Sequence, residues 1–269
     1  MPSKMSHGKT NGYVVLGCRL ETRERLRLVP TLSDWFDLRY DVCWGAKPRE
    51  WEDAHAYPKS LFKKAADLGL FGIRVAPELG GAGMDWWASA ATYQALRFTD
   101  FPSLNIGFMV QADLTIPLID RHGTAEQKEE FLKPAITGDR IAALGISEPE
   151  CGSDMAAMRT SAREVAGEWI ISGQKLWITN GAIADFLVLA VRTAKSRHRG
   201  LSLLLFPTDT KGFSVSRRLN KVGHVASDTA QLFFDECRIP KRYLLGKRNQ
   251  GFYSLMEHMQ GERLATSHL

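Results

Sequence analysis

The sequence predicts a multidomain α and β protein. It would comprise an N-terminal all-α domain, a middle antiparallel β-barrel or sandwich domain, and the first helix of a C-terminal helical bundle. Three observations predict it. Helical spacing runs from about Trp35 to Gly138. Seven short β-rich runs separated by Gly, Asn, Asp and Pro follow over roughly a hundred residues. From Gln250 the pattern is helical again. The chain divides into an atypical leader over residues 1–33, a helical domain over 34–139, a β domain over 140–246 and the start of a truncated helical domain over 247–269.

The leader lacks sustained periodicity. It holds Lys4, Lys9, Arg19, Arg23, Arg25 and Arg27 against Glu21 and Glu24, so most of the net charge of +5 sits there and the rest of the chain is nearly neutral. A nucleic-acid binder carries basic charge on the folded face that meets phosphate, which argues against that class. The run YVVLGC, Tyr13 to Cys18, is too short for a signal-peptide core, and no apolar run approaches the ~20 residues of a membrane span. Apolar content of 44% and charged content of 24% are those of a globular protein. Cys18, Cys43, Cys151 and Cys237 show neither metal nor disulfide spacing, so no metal site is expected. A reducing compartment is expected, cytoplasmic or, in a eukaryote, the mitochondrial matrix. The basic leader also reads as a weak import signal.

In the helical domain, Leu61, Phe62, Ala65 and Leu68 fall at helical spacing before the breaker run GLFG. Thr124 and Gln127 fit a capping box that opens a helix holding Phe131 and Leu132. The segment SLNIGFMVQADLTIPLIDRHG is apolar on most faces and predicts a buried helix broken or kinked near Pro117.

The β domain consists of IAALGIS, EWIISG, KLWIT, DFLVLAV, LSLLLF, FSVSRRL and TAQLFF. Within it GQKLWITNG, Gly173 to Gly181, reads as a strand entering an Asn-Gly hairpin turn. Alternation puts Leu176 and Ile178 on one face and Trp177 and Thr179 on the other. The latter pair is either sheet packing or a flat aromatic wall beside a hydroxyl, and the stretch alone leaves both open. No GxGxxG lies between a strand and a helix, and LGGAGM has the wrong spacing. Walker, HExxH and GxSxG motifs are absent, so a nucleotide cofactor here would not rest on a Rossmann unit. The last segment, GFYSLMEHMQGERLATSHL, places Tyr253, Leu255, Met256, Met259 and Leu264 on a helix with no later partner in this sequence.

Several blocks together carry a resemblance. Ser147-Glu148-Pro149, then Gly152-Ser153-Asp154, then a hairpin to Trp177-Ile178-Thr179-Asn180-Gly181 resembles the middle domain of the acyl-CoA dehydrogenase family. The resemblance extends upstream through PKSLFKKAADLGLFGIRVAPELGGAG and GTAEQKEEFLKPAITGDR. Downstream it takes in KVGHVASDTAQLFFDECRIP and LLGKRNQGFYSLMEHMQGERL, for roughly four-fifths of the chain. It implies FAD as cofactor, with Leu144, Ile146, Ser147, Gly152 and Ser153 along one wall of the site and Trp177, Ile178 and Thr179 along the other. It also implies an acyl-CoA substrate, with Ser153 meeting the thioester arm, and α,β-dehydrogenation by α-proton removal and hydride transfer to flavin N5.

Members of the isovaleryl- and long-chain-like type carry the catalytic Glu immediately before an Arg in the first helix of the C-terminal domain, a place held here by Glu262-Arg263. On spacing alone that pair reads as a solvated helix face. Gln260 and Gly261 precede it, and Tyr253 matches a substrate-lining position of those relatives. The implied partners are an electron-transfer flavoprotein and, for full-length members, further copies of the chain in a homotetramer. The family's C-terminal bundle supplies most tetramer contacts, and only its first helix is present. Departures from the family are Cys151 for the usual alanine, Leu144 where some members have an aromatic, and His224-Val225 before Ala226-Ser227-Asp228-Thr229. Lys195, Arg197, His198 and Arg199 form either a solvated loop or a contact for CoA phosphates. Two other readings stand beside dehydrogenation: an oxygen-using oxidase or flavin monooxygenase relative, and a truncated, non-catalytic chain that binds partners.

Overall fold

A computed structural model describes residues 48–96 and 101–266. The leader, Trp35, Cys18 and Cys43 lie outside the described residues, as do the side chains of Glu262 and Leu264.

The helical part begins with α1 (Pro48–Asp53) and α2 (Ser60–Asp67). Leu61, Phe62 and Ala65 of α2 are buried, as their spacing demands. They meet α4 (Pro102–Met109) through the edge-on pair Phe62–Phe108, after α3 (Trp86–Leu96). The buried helix does not break at Pro117. It widens into a π-helical stretch over Val110–Thr115 and resumes as α5 (Ile116–His122), with Pro117 in its first turn. Proline lacks the N–H that an α-turn needs, and a π-turn is one way to absorb that loss. Thr115 Oγ1 donates back to the Gln111 carbonyl at 2.9 Å within it. The capping box forms: Gln127 N donates to Thr124 Oγ1 and Thr124 N to Gln127 Oε1, opening α6 (Ala125–Gln127). After a second π-helical stretch, α7 (Lys133–Ile136) ends the helical part.

The strands are β1 (Ala142–Gly145), β2 (Ser161–Val165), β3 (Glu168–Thr179), β4 (Phe186–Arg192), β5 (Leu201–Pro207), β6 (Phe213–Arg218), β7 (Thr229–Pro240) and β8 (Leu244–Leu245). They form one open sheet in the order β6-β7-β3-β2-β4-β5-β8, with β1 parallel to β4. The sheet is open, which corrects the barrel alternative read from the short strands. Among the described residues the end strands β6 and β8 do not pair with each other. The chain also enters the sheet from the helical part by a parallel strand, which a run of hairpins does not foresee.

EWIISG and KLWIT are one strand, continuous through Gly173, whose φ of 145° suits glycine. A Cβ there would lie 2.7 Å from Thr160 Cα. β2, unforeseen because SAREV buries little, joins β3 through Ala166 and Gly167, both at positive φ, as a two-residue hairpin turn requires. Asn180-Gly181 is a turn but not a hairpin, since β3 and β4 are not partners in the sheet. Finally α8 (Gly251–Thr266) lies across β5 and the π-helical stretch, with Leu255 buried.

Candidate functional site

The strand β3 is irregular against β7 at two places, between Ile171 and Gly173 and again beyond Lys175. Lys175 pairs with Leu232 and Ile178 with Ala230, so Leu176 and Trp177 together oppose the single residue Gln231. Trp177 takes a φ of 65°, unusual for a bulky residue. Alternation therefore fails where the sequence reading relied on it: Lys175 and Ile178, three apart, are both buried, and Trp177 is 59% exposed. Released from β7, Leu176 N donates to the Ser147 carbonyl at 2.9 Å. The bulge thus joins the end of β1 to the Trp177 corner, bringing Ser147 beside the segment that holds Trp177 and Thr179.

Ser147, Leu144 and Ile146 are half-buried, Ile178 is buried and Thr179 half-buried. Gly152 and Ser153 are exposed, and a Cβ on Gly152 would meet nothing within 4 Å. Their loop is closed by reciprocal main-chain bonds between Glu148 and Cys151. Cys151 and Cys237 are buried free thiols; among the described residues no group of His, Cys, Asp or Glu suits a metal ion.

Beneath this loop lies a pair the sequence reading missed. Lys175 has no exposed side-chain surface; its Nζ donates to Glu148 Oε1 and to the Ile146 carbonyl, each at 2.9 Å. Glu148 also accepts from Arg159 N and Thr160 N at 2.7 and 2.9 Å. Burial pulls the Lys175 ammonium down to about 8 against the attraction of Glu148. Burial pushes the Glu148 carboxyl up, but Lys175 and the donors from Thr160 and Arg159 outweigh it and hold it below its ordinary value. The pair is ionised near neutrality and anchors both residues that flank Ser147. A lone Lys in a strand ordinarily reads as solvated, so nothing in the sequence pattern marked it.

A second group gathers at the start of α8. Arg197 pairs with Asp154, next to Ser153. His198 meets Phe252 edge-on at 4.8 Å, and Phe252 meets Tyr253 at 5.6 Å. The basic loop is therefore partly fastened rather than free. Tyr253 is 45% exposed. Gln260, Glu262 and Arg263 stand in the last turns of the same helix, where Gln260 and Arg263 are exposed. Nine helical residues turn the backbone about half a circle and advance it roughly 13 Å. Positions 253 and 262 therefore lie on opposite faces, and only a long ligand crossing the helix can touch both.

Between α8 and the helical part lies a cavity of about 530 Å³, lined in part by Arg74, Trp86, Asp113, His258 and Gln260. Arg74 pairs with the buried Asp113 and lies 3.6 Å over the Trp86 ring. Burial, and then the Arg74 charge, pull His258 down to about 4. No helix among the described residues is long and apolar enough to cross a membrane.

Two family models match the chain: "Acyl-CoA dehydrogenase, N-terminal domain" over residues 45–139 and "Acyl-CoA dehydrogenase, middle domain" over residues 143–237. The mitochondrial long-chain specific acyl-CoA dehydrogenase of Mus musculus is 38% identical over 223 residues, covering 82% of this chain and 51% of that protein. The chain thus spans about half the length of the curated relatives it matches. The crystal structure of an acyl-CoA dehydrogenase from Geobacillus kaustophilus superposes with a TM-score of 0.83 at 36% identity, over 94% of this chain and 65% of the other. That of a glutaryl-CoA dehydrogenase from Mycobacterium smegmatis in complex with FADH2 gives 0.79 at 29%, over 93% and 61%.

Proposed function

Because the chain belongs to the acyl-CoA dehydrogenase family, we propose that it carries the FAD-contacting and substrate-positioning half of an enzyme that dehydrogenates an acyl-CoA thioester. The observation that carries this reading is the bulged corner. A large aromatic, 59% exposed on a strained backbone, stands next to the half-buried Thr179 and is tied through Leu176 to Ser147. A flat ring system needs such an apolar wall with a few placed polar groups, and solvent alone rewards neither the exposure nor the strain. Residues Leu144, Ile146, Ser147, Gly152 and Ser153 would hold FAD from one side and Trp177, Ile178 and Thr179 from the other.

The flavin would supply the hydride-accepting centre. The chain supplies the rest. Glu262 would take the α-proton, its carboxylate raised towards neutrality once an acyl chain excludes water around it. Ser153 would meet the thioester arm, and Tyr253, Gln260 and Arg263 would line the substrate along α8. A span of that length suits the separation of positions 253 and 262, since CoA is long and an acyl group alone is not. The electron acceptor in this reading is an electron-transfer flavoprotein, and the assembled enzyme contains further copies of the chain.

The test is the visible spectrum of the purified protein, recorded anaerobically before and after a mixture of acyl-CoAs. Bleaching of a bound flavin band supports the reading. A protein that neither holds flavin nor takes it up from added FAD overturns it for this chain.

A further inference from the structure

Four buried side-chain oxygens lie without a protein hydrogen-bond partner where the helical part meets the sheet: Tyr57 Oη, Asn180 Oδ1, Ser227 Oγ and Asp228 Oδ1. They belong to one place. A Cβ on Gly107 would lie 2.2 Å from Tyr57 Oη and 3.0 Å from Asn180 Oδ1, so both oxygens close over the same bare Cα. Ser227 lies within hydrogen-bonding reach of Tyr57 Oη, without the geometry of a direct bond, and Asp228 is near enough to oppose its ionisation. Asp228 is held over the same turn: its carbonyl accepts from Asn180 N at 3.0 Å and its Oδ2 from Ala182 N.

The hydrogen-bond inventory of this group is definite. Asn180 Nδ2 donates to the Gly107 carbonyl at 2.9 Å and the Ala142 carbonyl at 3.3 Å, which fixes the amide with Oδ1 towards the cluster. Burial raises the Asp228 carboxyl, against the Ala182 and Ile183 amides and the charges of Arg218 and Lys221, which favour the ionised form; as a carboxylate its Oδ1 is an acceptor. Tyr57 and Ser227 each bring one hydroxyl proton. Two donors and two acceptors remain, and each buried orphan costs about 1–3 kcal/mol. A metal ion would use four lone pairs and leave both hydroxyl protons unmet; an ammonium ion could not accept from either hydroxyl. A water molecule offers two acceptor sites and two protons, the complement of the set.

We infer that Tyr57, Asn180, Ser227 and Asp228 form a binding site for one buried water molecule that bridges the helical part to the sheet. The water accepts from Tyr57 and Ser227 and donates to Asn180 and Asp228. Asn180 directly follows Thr179, so the bridge ties the end of β3 to the segment between α1 and α2 that holds Tyr57. The loop beyond it is fastened independently, since Glu52 accepts from Ala226 N at 2.8 Å and from Ser103 Oγ. The inference does not depend on flavin or thioester binding.

A high-resolution crystal structure of the chain tests it. One solvent peak roughly 2.6–3.2 Å from all four oxygens is expected. A direct bond from Tyr57 Oη to Asp228 or Ser227 with no peak overturns it, and so does a peak at roughly 2.3–2.6 Å, a metal-ion distance. In solution, oxygen-17 relaxation dispersion of water should lose one long-lived molecule in Ser227→Ala or Tyr57→Phe relative to the unaltered chain. An unchanged count in either folded variant overturns the assignment, and the crystal test stands if the variants do not fold.

Discussion

Lys175 reaches Glu148 from inside the sheet, its ammonium 2.9 Å from Oε1, with 0% of its own side chain and 6% of its partner's exposed. The same nitrogen holds the carbonyl of Ile146. Ser147, between those two residues, is therefore set by a cation that never meets solvent.

Removing that cation alone leaves a buried carboxylate with only main-chain donors. Lys175→Met is expected to destabilise the fold by about 3–5 kcal/mol, and the double change Lys175→Met with Glu148→Gln to recover part of the loss. Urea unfolding of the three chains measures this. A Lys175→Met chain within 1 kcal/mol or so of the original would show that the pair is dispensable.

Trp177 makes the opposite prediction. Its side chain stands largely in solvent, so Trp177→Ala should change unfolding free energy by no more than about 0.5 kcal/mol. Flavin affinity, titrated by fluorescence quenching, should fall by roughly tenfold through loss of aromatic contact. A large loss of stability with unchanged flavin affinity would return the residue to a packing role.

His258 sets a pH dependence. Its folded value of about 4 lies below the ordinary 6.5, so the unfolded chain binds more protons between those values and stability rises with pH across that window. The contribution is complete above pH 6.5 and lost as pH falls towards 4, by up to about 3 kcal/mol. Arg74 and His122 face the ring and act in the same direction. Asp113, itself raised by burial, titrates with the opposite sign. His258→Gln should flatten the difference between thermal midpoints at pH 7 and pH 4.5.

At Glu262 the expected outcome is kinetic. Glu262→Gln should retain bound flavin and lose reduction by acyl-CoA by at least about a hundredfold in stopped-flow absorbance. Undiminished reduction would place the base on another residue.

Much of this was legible in the sequence because it follows from local rules. The Thr124–Gln127 capping box, the buried face of α2 and the order of helices, strands and a final helix are set by spacing within a few residues. What spacing could not show depends on register between distant segments. The bulge at Trp177 exists because Gln231 on β7 faces two residues, and nothing in LWITN records the length of its partner. Lys175 drew no reading from the sequence because a strand pattern assigns faces, not the carboxylate that a loop 27 positions earlier brings beneath it. The open sheet escaped notice for the same reason: β1 pairs in parallel with β4, a partner some forty residues later in the chain.

The bulge also sets a trade between robustness and utility. A one-residue deletion at Leu176 or Trp177 would restore an unbroken ladder with β7, relieve the positive φ and let the residue that remains bond its neighbour strand. By the same move it would withdraw the amide that holds Ser147, and it would either remove the indole or turn it to the other face. A library of such deletions, sorted once for resistance to heat and once for flavin retention, should enrich opposite sets of chains. The irregular rung would then count as a feature maintained against the pull of a tidier sheet.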